Sequence, residues 1–469
     1  MPKLEDMLIN QSTSIKEAMA AIDRAGIRMA LIVDDNQNLK GIVTDGDIRR
    51  GILKGAGNDE LVSTVMNEAP LVAEENLPHQ DILDLLKTNK VLGIPLLSES
   101  GKVLDMLLLE GNDVLSYTKH TIEKKHLRKI LVIGGAGYIG SVLVRKLLDK
   151  GYKVKVLDNF LYGNESLSSI ESDELTILEG DTRHIEDVTE AVQDVDAVVH
   201  LAELVGDPAS SLNPKLTQDI NYLATRNVSS VCKHFHLNRF VYASSCSVYG
   251  ESEEGNLLTE ESPLNPVSLY AKMKIAAEKA LVEMKDDSFR PTILRLGTVF
   301  GPSPRPRFDL VVNLLTAKAV RDGKITIFGG DQWRPNVHVE DVAETIISVL
   351  EAPLDKVGGE VFNVGSEENN HTINELGDII KNQVPSAELV IEEKDLDKRD
   401  YMVDFTKLRE GLGIKLQRTV NDGIAGIISF LESHKDFNYE DSKYSNVKFL
   451  EQGKLTEFLS NGEAKTETI

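Results

Sequence analysis

Ser245, Tyr270 and Lys274 are the residues whose types and spacing could do chemistry in this chain. In "SLYAKMK", residues 268 to 274, the tyrosine and the lysine stand four positions apart. Four helical residues rise about 6 Å and return to the same side, so phenol and ammonium can converge on one bound molecule. A phenol with a pKa of about 10 is a poor base at neutral pH, but a neighbouring ammonium favours its phenolate. Such a group can take the proton of an alcohol. Ser245, where the apolar run "RFVYASS" meets "SSCSVYG", can hold the same oxygen. The spacing recurs at Tyr439/Lys443 and Tyr444/Lys448, but in a polar C-terminal tail with no glycine turn or strand-end serine beside it. Those pairs are expected to be solvated surface residues.

The elements that must position the three are legible upstream. "RKILVIGGAGYIGSVLVRKLLDKGYKVKVLDNF" predicts a buried strand over 130–133, a glycine turn, a helix and a second strand ending at Asp158, which is a βαβ unit. Its glycines satisfy G-x-G-x-x-G at 135, 137 and 140 and G-x-x-G-x-x-G at 134, 137 and 140. They serve a tight turn, backbone approach to a pyrophosphate at a helix N-terminus, and close helix-to-strand contact. Asp158 is placed to accept from the adenosine ribose hydroxyls and to repel a 2′-phosphate, so NAD is favoured over NADP. Further strands lead into Asp181 in "LEGDTR" and into His200 to Ala202 in "AVVHLAE". Ser245 therefore falls at the carboxyl end of a strand in a doubly wound sheet, where ligand crevices form.

Ahead of this unit, Leu4 to about His120 reads as two similar halves, a duplicated β-α-β-β-α pattern. The expected organisation is a paired N-terminal module over 1–120 and a polar linker over 121–127. A dinucleotide-binding domain over 128–435 follows, with its substrate-binding part mainly from about 295, and then an acidic tail over 436–469.

With 75 acidic and 52 basic side chains the formal charge is −23, which repels nucleic acid and anionic lipid in the absence of a basic run. No apolar run is long enough to cross a bilayer and no signal peptide stands at the start, so a cytoplasmic address is expected. Cys232, His234 and His236 in "VCKHFH" are soft metal-ligand types. On a helix His234 would point away from the other two, and no fourth ligand is near, so no metal is expected.

Gly134 to Gly140, Ser245, Tyr270 and Lys274 together resemble the extended short-chain dehydrogenase/reductase family, whose members act mainly on nucleotide sugars. The resemblance spans about residues 128 to 435 and implies a Rossmann-type α/β fold with a small C-terminal substrate subdomain. It implies an NAD site lined by Gly134, Gly135, Gly137, Tyr138, Ile139, Gly140, Asp158, Asn159, Asp181, Thr182, Leu201 and Ala202, with Tyr270 as base and Lys274 also gripping the nicotinamide ribose. In the family's 4,6-dehydratases an Asp-Glu pair follows the serine or threonine, and here Cys246 and Ser247 hold those places. An epimerase acting at C4 by transient oxidation and hydride return is therefore favoured, ahead of a nucleotide-sugar oxidoreductase, a dehydratase, or a non-enzymatic NAD and adenylate sensor.

For a nucleotide-diphosphate sugar, Arg334 in "FGGDQWRPNVHVEDVAE" is the first candidate to meet the diphosphate, because a guanidinium fork matches it. Arg305, Arg307 and Arg399 come next, and Thr298 stands where an asparagine often contacts the sugar nucleotide. His338 and Asp341 are read as helix caps. "GIVTDGDIRR" at Gly41 to Arg50 resembles the end of a CBS motif, a module that commonly binds adenine nucleotides. By that resemblance Thr44 would meet a phosphate and Asp47 the ribose, while Leu108 and Gly111 hold the matching places of the second half. A homodimer through two helices, one bearing Tyr270, is also implied.

Overall fold

The computed structural model describes residues 4–75, 77, 79–110, 113–117, 127–251, 257–286, 288–392 and 400–454. The chain divides into two compact units, Met1–Leu127 and Arg128–Ile469.

In the N-terminal unit, Ser14 opens the helix Ile15–Ala25 with a reciprocal capping box to Glu17, and Gly26 closes it at φ 71°. That conformation suits a glycine. Strands Leu8–Asn10, Met29–Val33 and Leu39–Thr44 form one sheet. The helix Asp45–Leu53 then starts on a second box, in which Thr44 and Asp47 cap each other and Asp47 also pairs with Arg50. The second half follows the helix His79–Asn89 with strands Gly93–Leu97, Val103–Glu110 and Asp113–Ser116 in a four-stranded sheet. The expected duplicate β-α-β-β-α is thus β-α-β-β-β. Leu108 stands where Thr44 starts a helix and offers no side chain to satisfy free N–H groups, so the chain runs on as a strand.

The larger unit is built on seven parallel strands in the order 175–179, 153–158, 129–133, 197–200, 240–245, 291–296, 361–364. The inner strands, "KILVI", "AVVH", "FVYASS" and "PTILRL", are nearly continuous apolar runs and are buried along almost their whole length. Parallel sheets covered by helices on both faces require this pattern. On one face Leu131, Val198, Phe240 and Ile293 pack against Val188, Val228, Ala277 and Leu281 of three helices. The strand order reverses between 129–133 and 197–200, the place where such sheets open a ligand crevice. A second layer from Thr298 onward has its own core, with Phe300, Ile325, Leu376 and Ile424.

The tail differs from expectation. Tyr439 is buried and its hydroxyl donates to Asp322, while Phe308 meets the rings of Phe437, Tyr439 and Tyr444 at centroid distances of 5.6, 6.0 and 6.3 Å. Aromatic residues spaced among the charges anchor this segment, so only Lys443 and Lys448 of the two repeated pairs behave as solvated surface.

Candidate active site

The glycine loop is shaped by steric exclusion. Gly134 sits at φ 85°, and a Cβ there would lie 2.7 Å from the Ala202 nitrogen. A Cβ on Gly140 would lie 2.2 Å from the Gly134 carbonyl oxygen, so only glycine lets the helix Gly140–Asp149 start this close to its strand. Asp158 accepts from the backbone N–H groups of Ala136 and Phe160, each at 2.9 Å, which aims its carboxylate across the loop. Burial pushes that carboxyl above its usual range, against the lowering effect of the two N–H bonds and of Arg305. A cradle that a Cβ would fill, beside a strand-end carboxylate, fits a dinucleotide.

A cleft of about 660 Å³ runs from this loop into the second layer. From the expected cofactor set, Gly134, Gly137, Tyr138, Ile139 and Gly140 line it, as do Asp158, Asn159, Asp181, Thr182, Leu201 and Ala202. Gly135 does not, because it lies beneath the loop against Val156. Asp181 is engaged by Arg183 at 2.8 and 3.0 Å; burial opposes ionisation, yet the guanidinium holds the carboxyl below its usual range.

Ser245, Tyr270 and Lys274 come together in the same cleft. Ser268 caps the helix Leu269–Met284 by accepting from Ala271 N–H, and its hydroxyl donates to Asp207 at 2.6 Å. Tyr270 therefore sits in the first turn, and Lys274 one turn on, both buried. The helix is tied to the sheet by a buried network below the site. Glu278 accepts from Arg295 at 2.7 Å and from the Ser244 hydroxyl, and Arg295 also donates to Tyr249 at 3.0 Å.

The charges around the phenol differ from expectation. Lys274 Nζ lies 2.6 Å from Glu203 Oε2, donates to the Ala243 carbonyl, and sits 4.7 Å from the Tyr242 ring centroid. Tyr242 in turn donates to Glu203 Oε1 at 2.6 Å. The ammonium is thus paired within the chain; burial pushes the Glu203 carboxyl above its usual range, while Lys274 and the Tyr242 hydroxyl pull it back down. Burial first, then the Glu203 and Asp207 carboxylates, push the Tyr270 phenol well above its usual range, while Arg307 and Ser245 pull weakly the other way. The lowering expected from Lys274 alone is not what these groups produce.

Of the substrate candidates, Arg334, Arg307 and Thr298 line the cleft, and Arg399 lies outside the described residues. Arg334 is buried, donates to the Trp333 carbonyl at 2.6 Å and stands over Tyr401. Arg307 is held in a two-point pair by Asp309 at 2.9 and 3.0 Å. Arg305 stacks 4.4 Å over Tyr162 and donates to Asn446 at 2.9 Å, and its buried Nε has no hydrogen-bond partner among the described residues. His338 caps its helix as expected, whereas Asp341 pairs with Arg418. Cys232 lies in the core, and the described residues hold no cluster of three or more metal-ligand side chains.

Glu203, Asp207, Tyr242 and Asn446 were not singled out from the sequence. Glu203 had a readable signal, a carboxylate three residues past the end of a buried strand in "AVVHLAE". Asn446 had none, since it reaches the cleft across a separation of 141 positions from Arg305.

His200, one strand from Lys274, yields a pH prediction. It is fully buried, with Nε2 3.1 Å from the Thr225 hydroxyl, and burial, then Lys274, lower its pKa from 6.5 to about 3. The unfolded chain takes up a proton that the folded chain refuses. Stability is therefore complete above pH 6.5 and falls as pH drops toward 3, by up to about 1.4 kcal/mol per unit. His200→Gln should flatten this slope in urea titrations at stepped pH.

The fold and site define a nucleotide-cofactor enzyme of the doubly wound class, with a tyrosine, a lysine and a serine lining the same cleft as the glycine loop. The chain belongs to the NAD dependent epimerase/dehydratase family, whose model matches residues 130–365, and it carries a CBS domain over residues 5–54. NAD is its cofactor. It is 31% identical over 314 residues to a putative UDP-glucose 4-epimerase of Methanocaldococcus jannaschii, covering 65% of this chain and 99% of the relative. UDP-glucuronic acid decarboxylase 1 of Arabidopsis thaliana matches at 30% over 318 residues, covering 66% of this chain and 70% of that one. The structure of MoeE5 in complex with UDP-glucose and NAD superposes with a TM-score of 0.57 at 26% identity, covering 66% of this chain and 99% of that chain. No helix among the described residues is long and apolar enough to cross a membrane.

Proposed function

We propose that this protein is a nucleotide-sugar 4-epimerase, working by transient oxidation at C4 and return of hydride to the opposite face. The observation that carries the reading is the convergence of Ser245, Tyr270 and Lys274 on one cleft that joins the glycine cradle to Arg334. When bound, NAD supplies a hydride acceptor whose oxidised ring is positive. Tyr270 takes the hydroxyl proton from the sugar, Ser245 holds the same oxygen, and Lys274 steadies the phenol's surroundings. Arg334 and Arg307 meet the diphosphate, and the orphaned Nε of Arg305 marks a further anion contact.

The dehydratase alternative is weaker on a specific ground. Cys246 is a buried thiol that donates to the Arg295 carbonyl, and burial raises its pKa, so it cannot serve as the acid of a dehydratase. A decarboxylase would also oxidise C4 first, and the relatives include one. A uronate substrate distinguishes it by release of carbon dioxide. For the CBS unit, adenine nucleotide binding and control of turnover is the reading, with Asp47 sharing its carboxylate between Thr44, Arg50 and a ribose. A homodimer completes the proposal.

The test is a panel of UDP- and GDP-hexoses and hexuronates incubated with NAD-loaded protein and followed by NMR. Epimer formation without accumulation of NADH is the expected result. Net NADH formation or consumption in step with product would replace the epimerase with an oxidoreductase.

A further inference from the structure

We propose that Glu203 is a positioning residue that sets the redox bias of the site: its carboxylate cancels the Lys274 charge and makes the cleft bind oxidised nicotinamide more tightly than reduced. This goes beyond the epimerase reading, because it depends only on NAD as cofactor and on Tyr270 as the group facing the reacting alcohol.

Three observations carry it. First, Glu203 follows Ala202 in sequence, and Ala202 is packed so tightly on Gly134 that no side chain fits between them. The carboxylate is therefore anchored at the bed of the cofactor, and it lines the same cleft. Second, Glu203 and Lys274 are 2% and 4% exposed at a separation of 2.6 Å, so bulk water does not screen them. Third, Tyr242 donates to the other carboxylate oxygen, and the Ala243 carbonyl and the Tyr242 ring face the ammonium, so both charges are held in place. Asp207 and Arg307 also act on Tyr270, with opposite signs.

The consequence follows from charge balance. In sugar oxidation, a hydride leaves the substrate carbon with two electrons for the nicotinamide ring. The hydroxyl proton goes to the Tyr270 oxygen, and a carbonyl forms. The ring loses its positive charge in that step. Hydride and proton leave adjacent atoms, so a bound nicotinamide would lie near the phenol and within the field of the pair that Lys274 makes beside Tyr270. With Glu203 ionised, which the 2.6 Å contact with Lys274 and the bond from Tyr242 favour against burial, that pair has no net charge. Without it, a buried ammonium would face a positive ring and oppose the oxidised form. The carboxylate thereby keeps the resting site oxidised and the transient ketone short-lived.

The test measures Kd for NAD⁺ and for NADH on the full chain stripped of nucleotide, by calorimetry. In E203Q, which keeps the shape and removes the charge, the ratio of NADH Kd to NAD⁺ Kd is expected to fall about tenfold. In K274M the unpaired buried carboxylate ionises only as pH rises, so the ratio is expected to rise with pH; that variant decides the matter if E203Q does not fold. An unchanged ratio in either variant, or equal weakening of both affinities, would reduce Glu203 to a packing role. Epimerase turnover is scored separately, so that reading and this one can fail independently.

Discussion

Tyr270→Phe is expected to lower kcat by about 10²–10⁴-fold while leaving the melting temperature and NAD affinity nearly unchanged. The substitution removes one oxygen and keeps a ring that is already packed under burial in the first turn of its helix. Among the described residues, the hydroxyl's hydrogen-bond contact is with Ser245. The effect should fall on the proton transfer and not on binding, so KM should move far less than kcat. A pH profile adds a sign. Burial, Glu203 and Asp207 hold the phenol above its usual range, so the base form grows as pH rises, and the oxidation half-reaction should speed up toward alkaline pH. The wild-type limb should be absent from the residual rate of the phenylalanine variant.

Arg295→Met is expected to destabilise the protein by about 3–5 kcal/mol, because it leaves Glu278 buried without its cation. The pair is 6% exposed on each side and lies two helical turns from Tyr270. Arg295 on its strand is in register with Ser244, the neighbour of Ser245, and Glu278 accepts from Ser244. The same network therefore spaces the serine from the tyrosine, and kcat should fall with stability. Replacing both members, as Arg295→Met with Glu278→Leu, should recover most of the stability, since a well-packed apolar pair can match a buried ion pair. Urea titration of the three variants measures this. A single substitution that unfolds at the wild-type midpoint would show that the pair is not needed.

The features legible in the sequence were those set by short separations. The glycine loop, Asp158, Ser245 and the Tyr270 helix are each defined within about one βαβ unit, where turn chemistry and apolar periodicity fix local structure. The interactions that decide their chemistry are long-range. Glu203 meets Lys274 across 71 positions, and no periodicity announces a contact of that length. The same applies to Asn446, which reaches Arg305 and Asp309 from a tail that charge alone marked as solvated. The missed strand at Asp113–Ser116 has a local cause, since the repeat was read from pattern similarity while the capping residue that starts a helix at Thr44 is absent at Leu108.

The central claim is that one hydride leaves the sugar and returns to it while Tyr270 handles the proton. The direct measurement uses a nucleotide sugar deuterated at C4, incubated with NAD-loaded protein in ordinary water and analysed by NMR and mass spectrometry. Full retention of the deuterium at C4 in both epimers is predicted. Loss of the label to solvent, or its accumulation in released NADH, would contradict the account.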